Sequence, residues 1–169
     1  MDNWTTAKDG GSLSNIHTGI VGSPNAGLYG SYALGVTGEA WAETGSYFGF
    51  SSAQKTFGPV DLSAYATLDL AASEKITFTP LYGGSVVYKV KIQSGANLIE
   101  TTIPAPAASM ANVSLPLTGF TLPSGAGGYT AASVLANADG IIIEVDMVSG
   151  VQNDWIGYEI YLDNIEFKM

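Results

Sequence analysis

The chain has 169 residues, 46% of them hydrophobic and 11% aromatic, which is enough for a substantial core and excludes intrinsic disorder. Fifteen Asp and Glu stand against six Lys, with no Arg, for a net charge of −9. That balance excludes ligands held by clustered cations: nucleic acid, anionic membrane surfaces and polyanionic sugars. The absence of cysteine removes disulfides, thiolate zinc sites and Cys nucleophiles together. No apolar run reaches the length of a membrane span; the best, Gly140 to Val148, carries Glu144 and Asp146. The length fits one domain over 1–169. Met1-Asp2-Asn3 is not the basic-then-apolar opening of a secretory leader, and the expectation is a longer precursor.

Gly, Pro, Ser and Thr punctuate the chain too often for long helices. Taken in order, the predicted strands are Ser31–Val36, Tyr47–Phe50, Tyr65–Leu70, Lys75–Thr79 and Ser85–Gln93. They continue with Asn97–Ile103, Asn112–Leu117, Gly140–Val148 and Gly157–Lys168. Turn residues such as Gly83-Gly84, Ser94-Gly95 and Ser149-Gly150 separate them, and one brief helix is predicted over Ala131–Asn137. His17 falls in a loop or an edge strand. About nine short strands without a repeat read as an all-β, antiparallel two-sheet sandwich of the jelly-roll kind.

Alternation assigns faces in two of these strands. Val86, Tyr88, Val90 and Ile92 share one side, and Val87, Lys89, Lys91 and Gln93 the other. Ile141, Ile143, Val145 and Met147 share an apolar side, with Ile142, Glu144 and Asp146 opposite. A curved sheet would turn that polar side into a groove lined with amines, carboxylates and an amide. A flat one would leave an ordinary solvated face.

Enzyme templates fit poorly. His17 is the single histidine, and neither a Gly-x-Ser-x-Gly elbow nor a dinucleotide or phosphate loop is present. Glu144 with Asp146 or Glu159 are the nominees for a glycosidase carboxylate pair, against which stands the commoner role of such residues as surface charge. The aromatics are more telling. Trp41, Tyr47, Phe48, Tyr82, Trp155 and Tyr158 all lie beside small or polar residues, read here as loops or strand ends. Sugar rings stack their C–H faces on flat aromatics and hydrogen-bond to short polar side chains, so the composition suits a neutral glycan. The alternative is that these rings cap the core. The residues nominated for carbohydrate contact are those six aromatics with Lys89, Lys91, Gln93, Glu144 and Asp146. No catalytic residue is assigned.

Three stretches carry a family resemblance. Tyr29-Gly30-Ser31-Tyr32-Ala33-Leu34-Gly35-Val36, Val60-Asp61-Leu62-Ser63-Ala64-Tyr65-Ala66-Thr67-Leu68 and Tyr161-Leu162-Asp163-Asn164-Ile165-Glu166-Phe167 occur in the expected order. Together the chain resembles β-jelly-roll carbohydrate-binding modules of the family 4, 11 and 16 kind, within the galactose-binding-like group. The resemblance implies non-catalytic binding of a polysaccharide or oligosaccharide, a β-glucan, xylan or mannan, at a concave sheet face or loop tips. It also implies a secreted or cell-surface location, and a monomeric module that targets a linked glycoside hydrolase to its substrate. Nucleic acid and membranes are not expected partners. A structural Ca2+ is implied as well, with Asp163 as a ligand, although the family's usual acidic opening has no match at Asp2-Asn3-Trp4 and Tyr29 stands where some relatives carry an acidic ligand. The alternatives are an adhesive surface domain or a small glycoside hydrolase or lyase.

Overall fold

The computed structural model describes residues 4–9, 13–20, 32–44, 47–78, 84–149 and 155–169. Two antiparallel sheets face each other across one core. In chain order the strands are β1 (Thr5–Lys8), β2 (Leu13–Ile20), β3 (Tyr32–Thr44), β4 (Tyr47–Phe48), β5 (Phe50–Val60) and β6 (Thr67–Phe78). They continue with β7 (Ser85–Ser94), β8 (Asn97–Ile103), β9 (Ala111–Pro116), β10 (Ala138–Ser149) and β11 (Trp155–Lys168). The first sheet runs β1-β5-β10-β7-β8. The second runs β2-β3-β11-β6-β9, with short β4 paired to β3. The jelly-roll sandwich expected from strand spacing is the architecture observed.

Period-two burial builds the core. Val90 and Ile92 of β7, Ile143 and Val145 of β10, Leu68 of β6 and Ile160 of β11 are sealed from solvent, while their neighbours in sequence turn outward. At ~25 cal/mol per Å² of buried apolar surface, this layer supplies most of the driving force for folding. Among the described residues the one α-helix, α1 (Ala131–Leu135), follows a capping box in which Thr130 and Ser133 exchange side-chain and backbone hydrogen bonds at 3.1 Å. Tyr129 ties the preceding loop to β8, its hydroxyl donating to the Leu98 carbonyl at 2.9 Å. Thr121 adds an isolated bridge to Glu100, so the loop covers part of an otherwise bare sheet edge.

Three departures from the sequence reading have physical causes. Strand β5 replaces a predicted strand that ended at Phe50. Its Ser51-Ser52-Ala53 run lacks branched residues, yet β1 and β10 pair with it on either side and bury it. The strands predicted at Tyr65–Leu70 and Lys75–Thr79 are one strand, β6, because Ala71, Ala72 and Ser73 lie fully buried between β9 and β11. Strand β3 runs on to Thr44, eight residues past the predicted end at Val36, because β11 pairs with it as far as Trp41. His17 lies on β2, an edge strand, which is one of the two placements expected for it.

Candidate functional site

The outer face of the first sheet gathers charge that the sequence scatters over sixty residues. Strands β10, β7 and β8 lie side by side, with Glu144 opposite Lys89 and Lys91 opposite Glu100. Long side chains reach diagonally as well as directly across a sheet. Lys89 Nζ sits 2.7 Å from Asp146 and 3.5 Å from Glu100, and Lys91 Nζ sits 2.5 Å from Glu144 and 3.5 Å from Glu100. Two ammoniums and three carboxylates therefore form one continuous ladder, with Glu100 bridging both lysines. They shield one another: the Lys91 side chain is 14% exposed and that of Lys89 25%.

Burial sets the electrostatics of this ladder. Glu144 is only 9% exposed, and burial first, then the Asp146 charge beside it, push its carboxyl up to about 7 against the opposing pull of Lys91. Burial pulls the Lys89 ammonium down, but Asp146, with Glu100 and Glu144, more than reverses that, and its net displacement is upward. Beyond the ladder an amide bridge crosses the face. The Gln54 amide donates to Gln93 Oε1 at 2.9 Å, and Gln93 in turn donates to the Gly95 carbonyl at 2.8 Å. Gly140 lies between the two strands where the bridge crosses. A Cβ there would come within 3.5 Å of Gln93 and 3.3 Å of the Lys55 carbonyl.

The nominated residues separate into groups. Lys89, Lys91, Gln93, Glu144 and Asp146 come together on this face. Tyr158 does not: it is 1% exposed, in the core, with its hydroxyl against that of Ser51 and its ring edge-on to Tyr88. A sugar cannot reach it, and its nomination is corrected. The signal was present, since Ile156, Tyr158, Ile160 and Leu162 alternate as one buried row. Trp41 and Trp155 belong to the second sheet, where β3 and β11 pair them as cross-strand partners, Trp41 within its strand and Trp155 at the strand end expected for it. Tyr47 and Phe48 form β4, just before the chain crosses to the first sheet at Phe50, opposite Asp146. Tyr82 lies outside the described residues. Sequence reading missed Glu100, Gln54 and Phe50. By alternation half-buried Phe50 shares the outer face with Ser52 and Gln54, adding an aromatic ring at the Asp146 end.

Asp163 lies at a bulge in β11, where its carboxylate accepts the Asn164 backbone amide at 2.8 Å and Asn164 takes a left-handed φ of 50°. Among the described residues no three carboxylate, imidazole or thiol groups gather to hold an ion, whereas Ca2+ takes ~6–8 oxygens. The described residues do not fit a calcium cage.

Comparison with known proteins finds no matching family model and no matching curated protein. Solved structures do match. The family 11 carbohydrate-binding module of a cellulosomal cellulase of Clostridium thermocellum superposes with a TM-score of 0.64 at 12% identity, over 99% of this chain and 88% of that one. The fold is that of these modules. The Clostridium thermocellum family 11 module in complex with a β-1,3-1,4-mixed-linked tetrasaccharide gives 0.60 at 12% identity, over 98% and 88%. The CBM27-1 module of Caldicellulosiruptor saccharolyticus in complex with mannohexaose gives 0.55 at 12%, over 91% and 82%. At such identities the likeness establishes the architecture, a β-sandwich that spans nearly the whole chain.

Proposed function

We propose that the chain is a non-catalytic carbohydrate-binding module that holds a neutral β-linked polysaccharide, a β-glucan, xylan or mannan, on the outer face of the first sheet. The observation that carries this reading is the ladder itself. It offers ammonium donors, carboxylate acceptors and two amides in one row, nearly balanced in charge and already oriented by one another. Such a face suits many hydroxyls and no net charge, and the half-buried Phe50 ring gives a sugar C–H face something to lie on. The similar folds support the reading, two of them in complexes with oligosaccharides. Binding is an equilibrium, and its use is avidity: tethering raises the local concentration of a linked glycoside hydrolase at an extracellular substrate.

Affinity electrophoresis in gels containing mixed-linkage β-glucan, mannan, xylan, alginate or pectate tests this. Retardation by at least one neutral polymer, and none by alginate or pectate at low salt where repulsion is least screened, is the expected pattern. Preferential retention by a polyuronate overturns it, and release of reducing ends from a bound polymer would make the chain an enzyme.

A further inference from the structure

A cavity lies on the opposite side of the first sheet, inside the sandwich, where the core opens at the end formed by β6, β7 and β8. Its volume is about 420 Å³, within the ~300–1,000 Å³ usual for small-molecule sites. Ile76, Val86, Ile103 and Ile156 wall it, so its body is apolar. Two groups break that character. Glu74 continues the inward row of Leu70 and Ala72 on β6, placing a carboxylate where a core residue is expected. Tyr88, 3% exposed, contributes a hydroxyl that is shut away from solvent and makes no hydrogen bond of standard geometry, with the Glu74 side chain beside it. Its neighbour Tyr158 is built the other way, with Ser51 to meet its hydroxyl. Buried polar groups without a well-formed hydrogen bond are rare in folded proteins and call for an explanation.

We infer that this cavity is a binding site for a small alcohol, an apolar ring or short alkyl chain carrying one hydroxyl, which enters between the sheets and sets that hydroxyl between Tyr88 and Glu74. The chemistry selects the head group. A hydroxyl both accepts and donates, so it can take the Tyr88 proton and give its own to the Glu74 carboxylate. An ammonium only donates and leaves the Tyr88 proton unmet. A carboxylate faces Glu74 in a chain of net charge −9. A sugar carries hydroxyls on every side and lacks an apolar body for the four aliphatic walls. Burial, with Glu74 beside it, pushes the Tyr88 phenol well up, so it stays a donor over all ordinary pH.

Titration of the full chain with 1-hexanol, hexylamine and hexanoate, followed by methyl NMR, tests the site. Saturable shifts confined to the Ile76, Val86, Ile103 and Ile156 methyls, with hexanol binding tightest, are expected. Tyr88→Phe removes only that hydroxyl and so keeps the fold. Hexanol affinity should fall about three- to tenfold, the effect of one neutral hydrogen bond. Retention by neutral polysaccharide should be unchanged in that variant, because Tyr88 points away from the Lys89 and Lys91 face. Ile76→Trp, placed at a half-exposed wall, should fill the cavity and abolish the shifts. Absence of saturable shifts in the parent chain, tighter binding of the amine or the acid, or equal hexanol affinity in Tyr88→Phe would overturn the assignment.

Discussion

The two sheets spend the same residue types differently on their outer faces. On the second sheet Lys75 pairs with Glu159 at 3.5 Å, and Lys168 pairs with Asp69 at 3.1 Å and Glu166 at 2.8 Å. Those two lysine side chains are 59% and 49% exposed, against 25% and 14% for Lys89 and Lys91 on the first. Distances of the same order therefore describe unlike interactions. Water screens the pairs of the second sheet, and such pairs add little to stability. The ladder of the first sheet has given up much of its hydration, so each charge there depends on its partners. A row of mutually dependent charges keeps its geometry, and that is what a recognition face requires.

The sharpest way to break this comparison is to remove one cation from each sheet. Lys91→Ala leaves Glu144 and Glu100 facing each other without their shared partner, and should cost about 3 kcal/mol in the denaturant midpoint at constant m-value. Lys168→Ala should move the midpoint too little to resolve. Equal losses would mean that the two faces do not differ in kind.

Proton linkage separates the sheets by sign. Glu144 has a folded value of about 7 above its ordinary 4.5, so its contribution to stability is fully present below pH 4.5 and lost as the pH rises through 7. Asp69 runs the other way. Hydrogen bonds from Ser114 and then Lys168 hold it below its usual range, so its contribution is present at neutral pH and lost on acidification. Melting temperature should fall by on the order of 5 °C between pH 5 and 8 in the parent chain. Glu144→Gln should flatten that profile, and a slope that survives the substitution would remove Glu144 as its source.

Ligand affinity offers the third contrast. Phe50→Ala should weaken polysaccharide retention by about tenfold, a stacking loss of ~1–3 kcal/mol by analogy with bases on aromatic rings, without loss of fold. Should Trp41→Ala or Trp155→Ala abolish retention while Phe50→Ala and Lys89→Ala preserve it, the recognition face would be the second sheet. The smallest effect is expected at the β11 bulge. Asn164→Ala should cost about 1 kcal/mol through its left-handed backbone, and Asn164→Gly close to nothing. Equal costs would place the role of Asn164 in its side chain, which donates to Glu166 at 3.3 Å.

Much of this was legible in residue order, and the limits have physical causes. Alternation in Val86–Gln93 and Ile141–Met147 assigned the inner and outer faces correctly, because burial on one side of a pleated strand imposes period two whatever the partner strand is. Tyr158 obeys the same rule and was misassigned because its place beside Gly157, at the start of the predicted strand Gly157–Lys168, suggested an exposed strand end. Strand β5 and the middle of β6 were invisible for another reason. Their small residues are tolerated because flanking strands bury them, a property of the sheet and absent from the segment. Glu100 gave no local sign of its role. It stands more than forty residues from Glu144, and only the adjacency of β8, β7 and β10 brings both carboxylates onto Lys91. Local pattern depends on the pleat of a single strand, so the sequence alone determined the all-β class and the polarity of each strand's two sides. Which charges meet, which aromatic is sealed in the core and where the sandwich opens depend on strand order and register, which are set by long-range burial, and these only the tertiary structure decided.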